Sequence, residues 1–242
     1  MHTKKSIMGV EVDLLSQDYL QAITNEYLEN DRLNIYFLLT TEIIEAAEAD
    51  EEYRKCLEEA DLLLPGEEHI ITLGQELNDL PDVALNYNAL LDMAKRLSEK
   101  KVIFFLCQDM QTVKRAERYT KENLPNFNVQ GSYSYEDHLG DEQIINSINA
   151  ITPDIIISTL PTPLQEQWIA EYRTKVNAKL YIGMGGVLDA MISEYKEPPQ
   201  IIKHFHLEGL YSNLRRSMTN KPLRTRIFKR KVEQYNNKKG EE

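Results

Sequence analysis

The chain has 242 residues, with 28 Lys and Arg against 39 Asp and Glu, a formal net charge of −11, and 42% hydrophobic residues. That apolar content excludes a wholly disordered chain, and the length fits one large domain or one domain with an appendage. No apolar run approaches the ~18 residues of a membrane span, and Met1–Met8 lacks the apolar core of a secretory signal, so the protein is expected in the cytoplasm.

Cys56 and Cys107 are the only cysteines. Two isolated thiols give neither a disulfide framework nor zinc spacing, and both are expected reduced and buried. The charge is uneven. From Lys203 onward there are 11 basic and 4 acidic residues, a net of +7, which leaves residues 1–202 at −18. An acidic body repels nucleic-acid phosphates, so no nucleic-acid partner is expected for it. A basic end suits an anionic membrane, a phosphorylated substrate or nucleic acid, or is simply a solvated helix surface.

In chain order, residues 16–29 read as a helix through Tyr19, Leu20, Ile23, Tyr27 and Leu28, with Ser16 as N-cap. Ile35–Leu39 reads as a buried strand. Thr41 opens a helix with Ile43, Ile44 and Ala47, and a second follows through Tyr53, Cys56 and Leu57. Leu62–Pro65 is a strand, ended by Pro65 and Gly66. Helix 87–98, strand 102–106, helix 109–123 and a strand near Phe127–Val129 come next. Helix 141–150, strand 155–157, a helix through Gln165, Trp168, Ile169 and Tyr172, and strand 179–182 complete the series. Such alternation predicts an α/β fold: a doubly wound, largely parallel, Rossmann-like sheet with helices on both faces. After residue 200 the pattern is helical and basic. The expected organisation is therefore an α/β domain over 1–200 and a basic helical appendage over 201–242.

Ligands of such sheets bind beyond the carboxyl ends of the strands. That places 40–42, 66–69, 107–109, 158–166 and 183–189 on one rim. Gly183-Met184-Gly185-Gly186 lets backbone approach a phosphate or sugar, or makes only a tight turn, and Asp189 binds hydroxyls or caps a helix. Its spacing fits neither a dinucleotide fingerprint nor a P-loop. In Pro161–Trp168, Thr162 is a candidate N-cap with Gln165 three residues on, a capping-box pattern that leaves Glu166 and Trp168 unexplained. His204 and His206 lack a third ligand, and no Asp-x-Asp holds a divalent ion, so no metal and no cofactor are expected.

The order of segments resembles the WecG/TagA/CpsF glycosyltransferases, glycosyltransferase family 26. Pro163-Leu164-Gln165-Glu166-Gln167-Trp168-Ile169 is similar to that family's Pro-Lys-Gln-Glu-x-Trp-Ile, and Gly183–Asp189 to its glycine-rich segment ending in Asp. Ala60–Pro65 is similar to the stretch before its catalytic aspartate. Leu207–Tyr211 and Pro222-Leu223-Arg224 resemble its C-terminal appendage. The resemblance implies a metal-independent inverting enzyme that moves N-acetylmannosamine or a similar sugar from UDP to an undecaprenyl-diphosphate-linked acceptor. It further implies that Gln165, Glu166, Gly185, Gly186 and Asp189 bind the donor. Thr40, Arg215, Arg224 and Arg226 would face the acceptor, and the basic appendage would meet the inner face of the cell membrane. A second copy of the chain is a further expected partner.

The departures are local. Where the family has Pro-Asp-Gly-x-Gly, this chain has Pro65-Gly66-Glu67-Glu68-His69, so Gly66 stands at the catalytic aspartate's position. Thr-x-Asn-x-Glu becomes Leu38–Glu42, Thr-Gly-x-Asp becomes Asn86–Ala89, and a Gly-Gly becomes Cys107-Gln108. Glu67 or Glu68 is the candidate base in the aspartate's stead, with Glu42 next. A catalytically silent relative that binds a nucleotide sugar or a partner enzyme is the alternative reading.

Overall fold

The computed structural model describes residues 2–67, 70, 86–137, 140–187 and 222–240. The chain divides into two compact units, 1–188 and 189–242. The first holds a six-stranded sheet and a separate hairpin. The hairpin pairs β1 (His2–Ile7) with β2 (Val10–Leu15), joined by Met8 and Gly9 at φ 50° and 84°. Two positive φ values in a two-residue loop match the right-handed twist of paired strands. Sequence reading passed over this hairpin because Met-Gly is not among the usual turn pairs, although Val10–Leu14 alternates apolar and polar residues.

The sheet strands are β3 (Asn34–Leu39), β4 (Leu62–Pro65), β5 (Lys101–Cys107), β6 (Phe127–Ser134), β7 (Ile155–Ser158) and β8 (Leu180–Gly183). They lie in the order 4-3-8-7-5-6, every pair parallel. The central strands β3, β8 and β7 are buried along their whole length, which is why they read as continuous apolar runs rather than alternating ones. Edge strand β6 alternates in exposure and runs to Ser134, well past the expected end. The other edge, β4, is covered by the hairpin: buried Asp13 accepts the Leu63 N–H at 2.8 Å and meets His2 at 2.7 Å through its second oxygen.

The helices are α1 (Gln17–Glu29), α2 (Thr41–Ala49), α3 (Glu51–Glu58), α4 (Asn86–Lys95), α5 (Met110–Asn123), α6 (Asp141–Ile151) and α7 (Leu164–Tyr172), with α8 (Pro222–Gly240) in the second unit. Ser16, Thr40, Asp50 and Asp109 cap the helices they precede, each accepting a first-turn N–H. On α1 the buried face takes in Thr24, bonded to the Tyr36 hydroxyl at 3.1 Å, while Tyr19 is exposed. Cys107 is buried, but Cys56 is only partly so, a correction to the expectation for both.

Candidate functional site

Successive strand residues point to opposite faces, so register decides which side chains share a row. One row crosses the whole sheet near its carboxyl end: Leu63, Phe37, Gly183, Ser158, Leu106 and Tyr133. Gly183 is the notch in that row. A Cβ there would stand 2.6 Å from Phe37 Cδ1 and 2.7 Å from Gln165 Nε2, so the carboxamide of Gln165 occupies the space a side chain would need.

Gln165 is held from several sides. Its Oε1 accepts the Gly185 N–H at 2.8 Å, its Nε2 donates to Glu166 Oε1 at 2.9 Å, and its backbone carbonyl accepts the Tyr181 hydroxyl at 3.3 Å. This ties the loop after β8 to the first turn of α7. Gly185 takes φ 48°, and Met184 N–H donates to Ser158 O at 2.9 Å, joining the β7 and β8 loops. Gly186 is exposed, and among the described residues no atom lies within 4 Å of where its Cβ would be. The α7 end is fixed in turn by α6: both Trp168 Nε1 and the Tyr172 hydroxyl donate to Asp141.

The capping-box expectation does not hold. The N-cap of α7 is Pro163, after a cis Thr162–Pro163 peptide, and no side chain caps the helix. Gln165 turns to the glycine loop instead of back to residue 162, because Gly183 opens a buried slot for it and Gly185 supplies a donor.

Gln165 and Glu166 are both fully buried. Burial raises the Glu166 carboxyl above the usual glutamate range, and the nearby Glu42 charge adds to the rise. Bonds from Gln165, from its own backbone N–H and from the Tyr53 side oppose it. Tyr53 on α3 is buried against the same carboxyl, and its phenol is pushed up first by burial and then by Glu166. Among the described residues, neither Tyr53 Oη nor Glu166 Oε2 makes a hydrogen bond of ordinary geometry. Sequence reading missed Tyr53: it shares the buried stripe of α3 with Leu57, and nothing in that spacing marks its hydroxyl.

At the β4 edge the geometry differs. Gly66 N–H donates to Leu39 O at 2.8 Å, and a Cβ on Gly66 would lie 2.7 Å from that same oxygen. The backbone here therefore excludes any side chain at position 66 without shifting. Glu67 Oε2 accepts both the Thr41 N–H, at 2.9 Å, and the Thr41 hydroxyl, at 2.7 Å, at the start of α2. Thr40 accepts the Ile43 N–H at 3.4 Å as the N-cap, and Glu42 is exposed on the first turn. Arg224 and Arg226 belong to α8, and Arg226 is exposed. Glu68, His69, Asp189, His204, His206 and Arg215 lie outside the described residues. Among the described residues, no group of three or more His, Cys, Asp and Glu side chains is arranged to hold a metal, and no helix is long and apolar enough to cross a membrane.

The family model described as Glycosyl transferase WecG/TagA/CpsF matches residues 5–230. Among relatives, the N-acetylglucosaminyldiphosphoundecaprenol N-acetyl-beta-D-mannosaminyltransferases of Staphylococcus aureus strains NCTC 8325 / PS 47, COL and MRSA252 are each 23% identical over 217 residues. Those matches cover 87% of this chain and 84% of the relatives. With a match of that span and a parallel sheet whose glycine loop and Gln-Glu turn meet at one rim, the chain belongs to the WecG/TagA/CpsF family of glycosyltransferases.

Proposed function

We propose that the protein transfers an N-acetylmannosamine-type sugar from a UDP donor to a lipid-diphosphate-linked acceptor, in the making of a cell-surface polysaccharide or teichoic acid. The observation that carries this reading is the Gln165–Gly185 bond, which fixes a glycine loop at the centre of the rim. The side chains of Gln165 and Glu166 are buried, so what they offer a nucleotide sugar is the shaped backbone around exposed Gly186. A glycine backbone lets phosphates and sugars approach closely. Asp189, a few residues on, is the group we assign to donor hydroxyls.

In the transfer, a base takes the proton of the acceptor hydroxyl. The freed oxygen attacks the anomeric carbon from the face opposite UDP, and UDP leaves with the bonding pair, so the configuration inverts. Glu67 or Glu68 is assigned as the base. The Thr40 hydroxyl accepts one N–H and keeps its own proton to donate to an acceptor oxygen. Arg215, Arg224 and Arg226 would pair with the acceptor diphosphate. The exposed basic residues of α8 support peripheral attachment at the inner face of an anionic membrane.

A second reading, a silent relative that still binds a nucleotide sugar, rests on one observation: position 66 carries no carboxylate and has no room for one. Calorimetric titration with a panel of UDP-sugars, followed by a UDP-release assay with a lipid-diphosphate acceptor analogue, separates the two. Binding with turnover supports transfer, and binding without turnover supports the silent relative. Absence of binding across the panel overturns both.

A further inference from the structure

We propose that Glu166 is a positioning residue of the donor site: it does not touch the donor but holds the Gln165 carboxamide in the one orientation that presents Oε1 to the Gly185 N–H. This rests on the reading of the glycine loop as the donor's seat. A carboxamide has an acceptor end and a donor end of nearly the same shape, and a flip by 180° exchanges them. Gly185 offers a donor, so the amide must present oxygen there. What enforces that choice at the other end is Glu166 Oε1, which accepts from Nε2 at 2.9 Å. Flipped, the amide would set its NH2 against the Gly185 N–H and its oxygen against a carboxyl oxygen. Both ends would then lose their bonds in a buried place, where an unsatisfied polar group is costly.

The surroundings of the second carboxyl oxygen suit a neutral acid better than a carboxylate. Among the described residues, the groups that face Glu166 are Tyr53 and Cys56 on α3, Glu42 on α2, Tyr181 on β8 and Gln165 on its own helix, and none of these carries a positive charge. Among the described residues, Oε2 is buried without a hydrogen bond of ordinary geometry, and so is Tyr53 Oη beside it, which the Thr162 side chain also approaches. A proton on Oε2 lets the carboxyl donate to the phenol oxygen after a small adjustment of either group, while Oε1 stays an acceptor for Gln165. The carboxyl then behaves as a carboxamide would: a carbonyl toward Gln165 and a donor toward Tyr53. Tyr53 holds the acid, the acid holds the amide, and the amide holds the loop.

The test uses the full-length 15N-labelled protein without ligand and reads hydrogen exchange at the Gly185 amide. The same variants are then titrated with UDP-N-acetylmannosamine and UDP-N-acetylglucosamine. Glu166→Gln supplies the same carbonyl and donor pattern, and is expected to keep Gly185 exchange and donor Kd within about threefold of wild type. Glu166→Ala removes the acceptor, and is expected to speed Gly185 exchange at least tenfold, with α1 amides unchanged, and to weaken donor binding tenfold or more. If Glu166→Ala does not fold, Tyr53→Phe replaces it, with an expected rise of about threefold confined to the glycine loop. Unchanged Gly185 exchange in Glu166→Ala, or in Tyr53→Phe where that replaces it, overturns the proposal. So does a loss in Glu166→Gln as large as in Glu166→Ala, because a required negative charge would then be at work. If wild type binds neither sugar nucleotide, the donor reading fails, while Gly185 exchange still decides whether Glu166 positions the loop.

Discussion

The centre of the rim and its β4 edge are built from similar parts to opposite effect. At the centre, two polar side chains are spent on holding backbone: Gln165 on Gly185 and Glu166 on Gln165. The reward is an ordered glycine loop with Gly186 open to solvent. At the edge, the backbone of Gly66 closes on Leu39 O, and Glu67 is drawn to the first residue of α2. The centre keeps the family's segments and the edge departs from them. On the function proposed above, the centre would keep the seat of the donor while the position that would activate the acceptor is closed by main chain.

The largest effect expected is on turnover. If the edge carries the chemistry, Glu67→Gln should cut kcat by about 10²–10⁴-fold, the usual contribution of a general base, and leave donor Kd nearly unchanged. The amide still offers an oxygen to Thr41, so the fold should be little affected. Steady-state UDP release beside calorimetry reads both quantities. Unchanged turnover moves the base to Glu68 or Glu42.

Next comes the centre. Gln165→Ala strips Gly185 of its acceptor and leaves a buried slot beside Gly183, which together should cost about 2–4 kcal/mol of stability. Donor binding should be lost with it. Thermal unfolding should show a Tm lower by several degrees, given ~2–4 °C per kcal/mol for a chain of this size. Gly183→Ala should mimic the loss by pushing Gln165 out, whereas Gly186→Ala should stay within about 0.5 kcal/mol, its Cβ meeting no atom of the described residues within 4 Å. Equal effects at 183 and 186 would break the contrast drawn inside the loop.

Smaller again is the change at the edge. Gly66→Asp and Gly66→Ala both force a Cβ against Leu39 O, and each should destabilise by about 1–3 kcal/mol. Restoring the carboxylate alone should not raise turnover, because the backbone must move before the side chain fits. A gain of transfer in Gly66→Asp, measured by UDP release, would show the edge to be more plastic than its geometry implies.

Much of this was readable from residue order alone. The apolar runs at 35–39, 102–106 and 155–157 are strands because buried parallel strands need no polar alternation, and the cap at Ser16 followed from a side chain that competes for backbone N–H groups. What could not be read is what depends on register. That Gly183 falls opposite Phe37 and Ser158, leaving a notch for Gln165, is a fact about three strands distant in sequence. The same holds for Tyr53, whose hydroxyl meets Glu166 only because α3 packs near α7. The capping-box reading of Thr162 failed because a local rule competed with a buried partner twenty residues away, and the buried partner won.

The smallest effect expected is the pH dependence of stability, which isolates Glu166 from everything around it. Its folded pKa is raised above the ordinary glutamate value of 4.5, mainly by burial. The folded state therefore holds the proton more tightly than the unfolded chain does. Its contribution is fully present below pH 4.5 and is lost as pH rises through the folded value, since the unfolded chain ionises first and gains by doing so. Glu166→Gln cannot ionise and should lack that slope. Urea midpoints taken at intervals from pH 4.5 upward, wild type against Glu166→Gln, should therefore draw apart as pH rises, with the variant the more stable. Other carboxylates titrate in both proteins and cancel in the difference. A difference curve that is flat, or that favours wild type at higher pH, would mean that Glu166 is ionised in the folded protein. The Gln165–Gly185 contact would then be held by a charge, and Tyr53 would be its hydrogen-bond donor.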